Sequence, residues 1–165
     1  MKLMSAHIET LKTLYISNLK KALDLEQQII NALPDMIGAA TDSELKSAFT
    51  NHLQETRGHA SKVESLLMQH TGKNSTETCK VMKGLAAEAS DTIKDVTAST
   101  VLDIALIGGA QQVEHHEIAV YGTLRRWATL LNLLKDAEIL KSIEDEEGKA
   151  DKLLTSISEK VNTEA

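Results

Sequence analysis

Glu55 with His59, Glu114 with Glu117, and Glu147 with Asp151 are pairs of potential metal ligands set three or four residues apart. On a helix, that spacing puts both members of a pair on one face. Glu26 stands without such a partner, in the row Ala22, Glu26, Ile29, Leu33. The other acids also interrupt apolar rows. One row runs Leu45, Ala48, His52, Glu55, His59, Val63, Leu66. A second runs Ile107, Ala110, Glu114, Glu117, Tyr121, beside a parallel row through Leu106, Val113, Val120 and Leu124. A third runs Leu140, Ile143, Glu147, Ala150, Leu154, Ile157, Val161. A lone glutamate on such a row ordinarily sits at its edge, paired with lysine or arginine. One in each of four segments is harder to explain that way. An isolated buried carboxylate is costly, and several together repel until some take up protons. Lys62 is the nearest fixed positive charge on these rows. Divalent cations would supply the missing charge. Carboxylates with imidazole suit iron, manganese or zinc, and two ions bridged by glutamates suit the core of a helical bundle.

The remaining polar residues read as supporting or solvated groups. His52, a turn before Glu55, is placed beside the ligands rather than among them. His115 and His116 cannot both face inward with Glu114 and Glu117, so one is set against a ligand and the other in solvent. Tyr121, a turn beyond Glu117, is an apolar-row residue within reach of a ligand carboxylate. In the acid run Asp145–Glu147, only Glu147 continues the apolar row. His7 and His70 read as surface groups, and Cys79 needs no role. Glycines 58, 122 and 148 lie within helical segments, where they could permit close helix approach or a local bulge. Gly108–Gly109 suggests tight packing.

The elements that must position these groups are helices. Apolar residues recur at helical spacing, and alternation of the strand type is nearly absent. The pattern predicts four long helices and a short one. The first runs from about Ser5 to Ile37, kinked or ended by Pro34. The second starts at Thr41 or Asp42, with Thr41 and Glu44 at capping-box spacing, and stops at Gly72. A short helix covers Val81–Asp95. The third long helix runs from a cap at Ser99 or Thr100 to about Leu131, with Asp103 in its first turn. The fourth runs from about Asp136 to Val161. Tight links make the first and second pairs antiparallel, whereas the middle link, about 27 residues, is long enough to cross a bundle. The expectation is an all-α, ferritin-like antiparallel four-helix bundle with a helix-containing crossover between helices two and three, spanning residues 1–165 as one domain.

Composition agrees. The 165 residues are 42% apolar and 25% charged, enough for a single core. One cysteine excludes an internal disulfide and a CxxC metal site. A net charge of −6 without a basic block argues against nucleic acid as partner. No apolar run approaches a membrane span, and no secretory signal opens the chain, so a cytoplasmic location is expected.

The segment QQVEHHEIAVYGTL at residues 111–124 resembles the third-helix signature of the YciF-like proteins, a bacterial group with a ferritin-like fold. HLQETRGH at 52–59 is similar to that group's second-helix motif, and LEQQ at 25–28 to its first. Glu147 with Asp151 resembles its fourth, and CKVMKGL at 79–85 its crossover. The resemblance implies a homodimer of bundles, a two-metal carboxylate site and a link to stress responses. It maps the acidic positions onto Glu26, Glu55, Glu114, Glu117 and Glu147, with Asp151 as a recurrent aspartate. The chain differs in carrying His59 for glutamine, His116 for tyrosine and Gly148 for lysine. The expected ligand set is therefore Glu26, Glu55, His59, Glu114, Glu117, Glu147 and Asp151. It would hold two divalent cations, iron or manganese before zinc, able to meet oxygen or peroxide. The alternative is a non-catalytic structural or interaction protein, with a structural metal or a metal-free acidic core. Four or five protein ligands would leave room for oxygen and seven would close the site; with six or seven candidates, the sequence leaves turnover undecided.

Overall fold

The computed structural model describes residues 8–161, which form five helices and no strands. Helix α1 spans Leu11–Ala39. Thr10 caps it: its hydroxyl accepts from the Thr13 amide at 3.1 Å, while the Thr10 amide donates to Thr13 Oγ1 at 3.2 Å. This start is later than the expected Ser5, and residues 5–7 lie outside the described residues. Pro34 does not end the helix. Leu33 and Met36 on either side of it are anchored in the core, which offsets the one backbone hydrogen bond a proline removes.

Helix α2 spans Ser43–Thr71 and ends on Gly72, whose φ of 68° gives the left-handed cap. Its N-cap is Asp42, with Oδ1 accepting from the Leu45 amide at 2.8 Å. Thr41 does not form the expected capping box with Glu44. Its amide and hydroxyl donate instead to Asp103, at 2.8 and 2.5 Å, and the Asp42 amide adds a third bond at 2.9 Å. Asp103 is thus buried and ties the α1–α2 turn to the next long helix, a tertiary role that its position in a first turn does not reveal.

Helix α3 spans Lys80–Asp95, inside the long link, and packs against α1 and α4. Helix α4 spans Ser99–Leu130 and follows Ala98, without the expected side-chain cap. Helix α5 spans Leu134–Ser158. Two antiparallel hairpins result. Lys12 on α1 donates to His70 near the end of α2, and Arg125 and Gln111 on α4 reach Glu144 and Asp151 on α5. The hairpins meet along α1 with α4 and along α2 with α5; α3 lies over the first seam. No helix among the described residues is long and apolar enough to cross a membrane.

The apolar core is divided. One cluster joins Leu25, Ile29, Leu33, Phe49, Leu106 and Leu154 with their neighbours. The other joins Tyr15, Leu19, Val63, Leu67, Leu124 and Leu140 with theirs. His70 is not a surface group. It is partly buried beside the second cluster, donating through Nε2 to Asp136 Oδ2 at 2.5 Å, and Tyr15 donates to the same oxygen at 2.8 Å. Of the helical glycines singled out, only Gly122 serves a close approach, that of Glu144 on α5. A Cβ at Gly58, Gly108, Gly109 or Gly148 would meet nothing within 4 Å, whereas one at Gly122 would meet Glu144 Oε1 at 2.9 Å.

Candidate metal centre

Between the two apolar clusters, each long helix contributes an ionisable layer. On α1 it is Glu26, on α2 His52 and His59, on α4 Glu114 and Glu117, and on α5 Glu147; all six are buried. The layer follows from register. Each residue lies at helical spacing from core side chains of its own helix, so burying the apolar row buries the polar member too.

Two overlapping groups form. One ligand atom each from His52, Glu114, Glu117 and Glu147 lies within 4.8 Å of the others. The same holds for Glu26, His59 and Glu147. Glu147 belongs to both. Nine buried side-chain atoms in the layer have no hydrogen-bond partner, including both oxygens of Glu117 and of Glu147. His59 Nδ1 lies 2.8 Å from Glu147 Oε1 and His52 Nε2 3.3 Å from Glu114 Oε1, but neither approach has hydrogen-bond direction. Tyr121, fully buried, donates to Glu26 Oε1. The outer nitrogen of His59, Nε2, bonds Glu146 Oε2 at 2.6 Å, and Lys62 joins the same carboxylate at 3.3 Å.

Electrostatics follow from crowding. Burial first, then the neighbouring acids, raise Glu26, Glu114 and Glu117 well above the usual carboxylate range. Burial opposes charge on His59, but Glu147, Glu26 and Glu146 outweigh it and raise its pKa to about 9. Among the described residues, no lysine or arginine is buried. Without a cation, protons must carry the neutralisation.

The sequence-expected residues divide accordingly. The structure brings together Glu26, His59, Glu114, Glu117 and Glu147. It leaves Glu55 and Asp151 at the margin. The Glu55 side chain is half exposed, with Oε2 3.8 Å from His52 Nδ1, and the neighbouring imidazole holds Glu55 below the usual carboxylate range. Asp151 Oδ1 accepts from Gln111 at 3.2 Å and lies 3.4 Å from the exposed His115. His116 faces Cys79 Sγ at 3.6 Å rather than a ligand. The residue that sequence reasoning set aside is His52. Its seven-residue spacing from His59, two helical turns, marks it as sharing His59's face.

The donor set fits two cations: oxygen and imidazole ligands, a carboxylate common to both groups, unpartnered atoms within 4.8 Å of one another in each group, and fixed outer partners for His59 and Glu26. Carboxylate-imidazole sets of this kind bind first-row divalent ions and can hold them at a redox-active or a purely structural site.

Comparison with known proteins gives a consistent set of relatives. Residues 10–165 match the family described as Domain of unknown function (DUF892). Protein YciF of Escherichia coli K12 is 34% identical over 153 residues, 92% of each chain. YcfI of Rhodopseudomonas palustris, described as a candidate structural protein, superposes with a TM-score of 0.89 at 36% identity, over 93% of this chain and 98% of that one. The crystal structure of the E. coli stress protein YciF gives 0.87 at 34%, over 92% and 96%. A structure from Xanthomonas campestris pv. campestris, 21% identical with a TM-score of 0.76 over 92% and 93%, shares the fold.

Proposed function

The chain belongs to the DUF892 family, and from that footing we propose that it is a ferritin-like four-helix bundle whose core holds two divalent cations, iron or manganese. The observation that carries this reading is the orphaned layer. Glu117 and Glu147 bury four carboxylate oxygens without a hydrogen-bond partner, beside unpartnered atoms of Glu26, His52, His59 and Glu114. Buried polar atoms in native proteins are nearly always satisfied, and a concentration of exceptions calls for a missing ligand.

Glu147, common to both groups, would help hold both ions. His52, Glu114 and Glu117 would complete one side, and Glu26 with His59 the other. When bound, such ions supply one-electron redox chemistry toward oxygen or peroxide. The chain's own residues set the conditions for it. Tyr121 fixes one oxygen of Glu26 and leaves the other free to face the site. Glu146 holds His59 by its outer nitrogen, which turns the inner one toward Glu147. The apolar clusters close the two ends of the layer. By the same resemblance, the protein works as a homodimer in a stress response; light scattering reads the stoichiometry.

Metal content per chain tests the reading. Untagged protein is dialysed with Fe(II) or Mn(II), then against buffer, and analysed by mass spectrometry beside Glu117→Ala and Glu147→Ala. About two ions per chain in wild type, lost in both variants, is the outcome expected of such a pair. Retention of no metal by wild type would overturn it.

A second reading has one observation in its favour. The raised carboxyls and the cationic His59 can neutralise the layer with protons alone, which permits a metal-free structural protein. It predicts the same melting temperature with chelator and with metal.

A further inference from the structure

The two seams between the hairpins differ. Helix α3 covers the α1/α4 side, where the space reaching His52 and Glu114 is only about 30 Å³ and is walled by Ile29, Leu33, Met36 and Met82. Among the described residues, no helix covers the α2/α5 side. A cavity of about 460 Å³ opens there, lined by His52, Glu55, Glu114, Glu146, Lys149 and Leu153. Leu153 is 49% exposed, so the cavity reaches solvent.

Two parallel arrangements lead inward from it. Glu55, its side chain 51% exposed, lies 3.8 Å from His52 Nδ1, and His52 Nε2 lies 3.3 Å from Glu114, exposed at 4%. Glu146, 35% exposed, lies 2.6 Å from His59 Nε2, and His59 Nδ1 lies 2.8 Å from Glu147, exposed at 1%. Each runs from an outer carboxylate through an imidazole to an inner carboxylate. His52 is buried, and neither of its nitrogens has a hydrogen-bond partner.

We propose that the α2/α5 cavity is the port by which a hydrated divalent cation enters the layer, with Glu55 and Glu146 drawing it in and His52 and His59 passing it to Glu114 and Glu147. The inference rests on the metal reading above. Its chemistry is stepwise replacement. A cation surrenders water only as protein donors become available, and oxygen–nitrogen–oxygen steps a few ångströms apart let it exchange one ligand at a time. An acidic mouth also raises the local cation concentration. Lys149 beside the two glutamates moderates the charge without closing the opening. On the α3 side, the space that reaches His52 and Glu114 offers neither the width nor an outer charge.

Stopped-flow mixing of apoprotein with Co(II), followed by visible absorption, measures loading. Metal analysis after prolonged dialysis measures the endpoint. Glu55→Gln should slow loading about tenfold, the lower end of what an acidic cleft adds to an on-rate. Leu153→Trp, which narrows the mouth without touching a ligand, should slow it comparably while the final content stays at the wild-type value. Val81→Trp, on exposed α3 surface, should load at the wild-type rate. Wild-type loading in Leu153→Trp, or equal slowing in Val81→Trp, overturns the port and leaves the metal site standing. No uptake by the wild-type protein overturns both.

Discussion

Replacing Glu117 by glutamine should make the protein more stable without metal and remove most of its gain from metal. Glu117 is fully buried, neither carboxylate oxygen has a partner, and burial with Glu147, Glu26 and Glu114 disfavours its charge. Glutamine keeps the shape and cannot ionise, and its amide can donate to the neighbouring acids. The relief is that of removing a buried unsatisfied group, about 1–3 kcal/mol. For a chain of this length that is a rise of roughly 2–12 °C in melting temperature. Metal acts the other way. At a hundredfold excess over its dissociation constant, a bound ion stabilises by about 2.7 kcal/mol, or roughly 5–10 °C. A neutral amide that replaces a ligand carboxylate should forfeit most of that. The two curves should therefore cross: the variant melts higher in chelator, and the wild type gains more in Mn(II). Calorimetry at pH 8 reads both. A variant that melts lower in chelator would show that Glu117 is satisfied in the apoprotein. Equal Mn(II) increments in the two proteins would show that Glu117 is no ligand.

The raised carboxyls also fix the sign of the pH dependence. Stability from protonated Glu26, Glu114 and Glu117 is complete below the unfolded carboxyl value, about 4.3, and is lost as pH rises through their elevated folded values. The contribution of charged His59 is lost in turn as pH rises through about 9. The apoprotein should thus melt lower at pH 9 than at pH 5, whereas the increment from Mn(II) should grow with pH because binding displaces protons; a chelated protein whose melting temperature rises over that range contradicts the assignment. Tyr121→Phe strands Glu26 Oε1 in the core and should cost about 1–3 kcal/mol, seen in urea unfolding of the apoprotein. Asp103→Ala leaves the Thr41 and Asp42 amides without their acceptor and should cost about 2–3 kcal/mol, with faster amide exchange at residues 41–42 as its local signature.

The helices were legible because helical spacing of apolar residues survives everywhere except at the ends. Start and stop positions depended on single side chains with competing uses. Thr41 could cap α2 by sequence, but Asp103, distant in the chain, takes both its amide and its hydroxyl. The layer was legible in outline for the same reason: Glu26, Glu114, Glu117 and Glu147 fall on rows whose apolar members are buried. On α2 the row is ambiguous. His52, Glu55 and His59 lie within a turn or two of one another, and a rotation of part of a turn exchanges which of them faces inward. Sequence favours the carboxylate on chemical grounds. Packing turns the face with Thr56 and Ala60 inward, and so buries the two histidines and leaves Glu55 at the mouth. Glu146 was hidden differently, because an acid run normally means a solvated face and its bond to His59 crosses from another helix.

The position of the layer explains how a fold can carry it. A belt of mutually repelling acids would unravel a bundle that depended on that belt for cohesion. Here cohesion lies on either side. One apolar cluster closes the α1–α2 turn against α3, α4 and α5, with Asp103 as its polar tie. The other closes the opposite end, with Asp136 held by Tyr15 and His70. The helices are fixed at both ends, and the layer between them is held in register whether or not its charges are balanced. On the proposed metal reading, that arrangement would keep the ligands preorganised before a cation arrives. A cation entering the layer would then gain binding energy by removing a penalty the folded chain already carries. The same reasoning separates the residues by consequence. Substitutions in the layer should alter metal and pH responses, while substitutions in the end clusters should lower stability with and without metal alike.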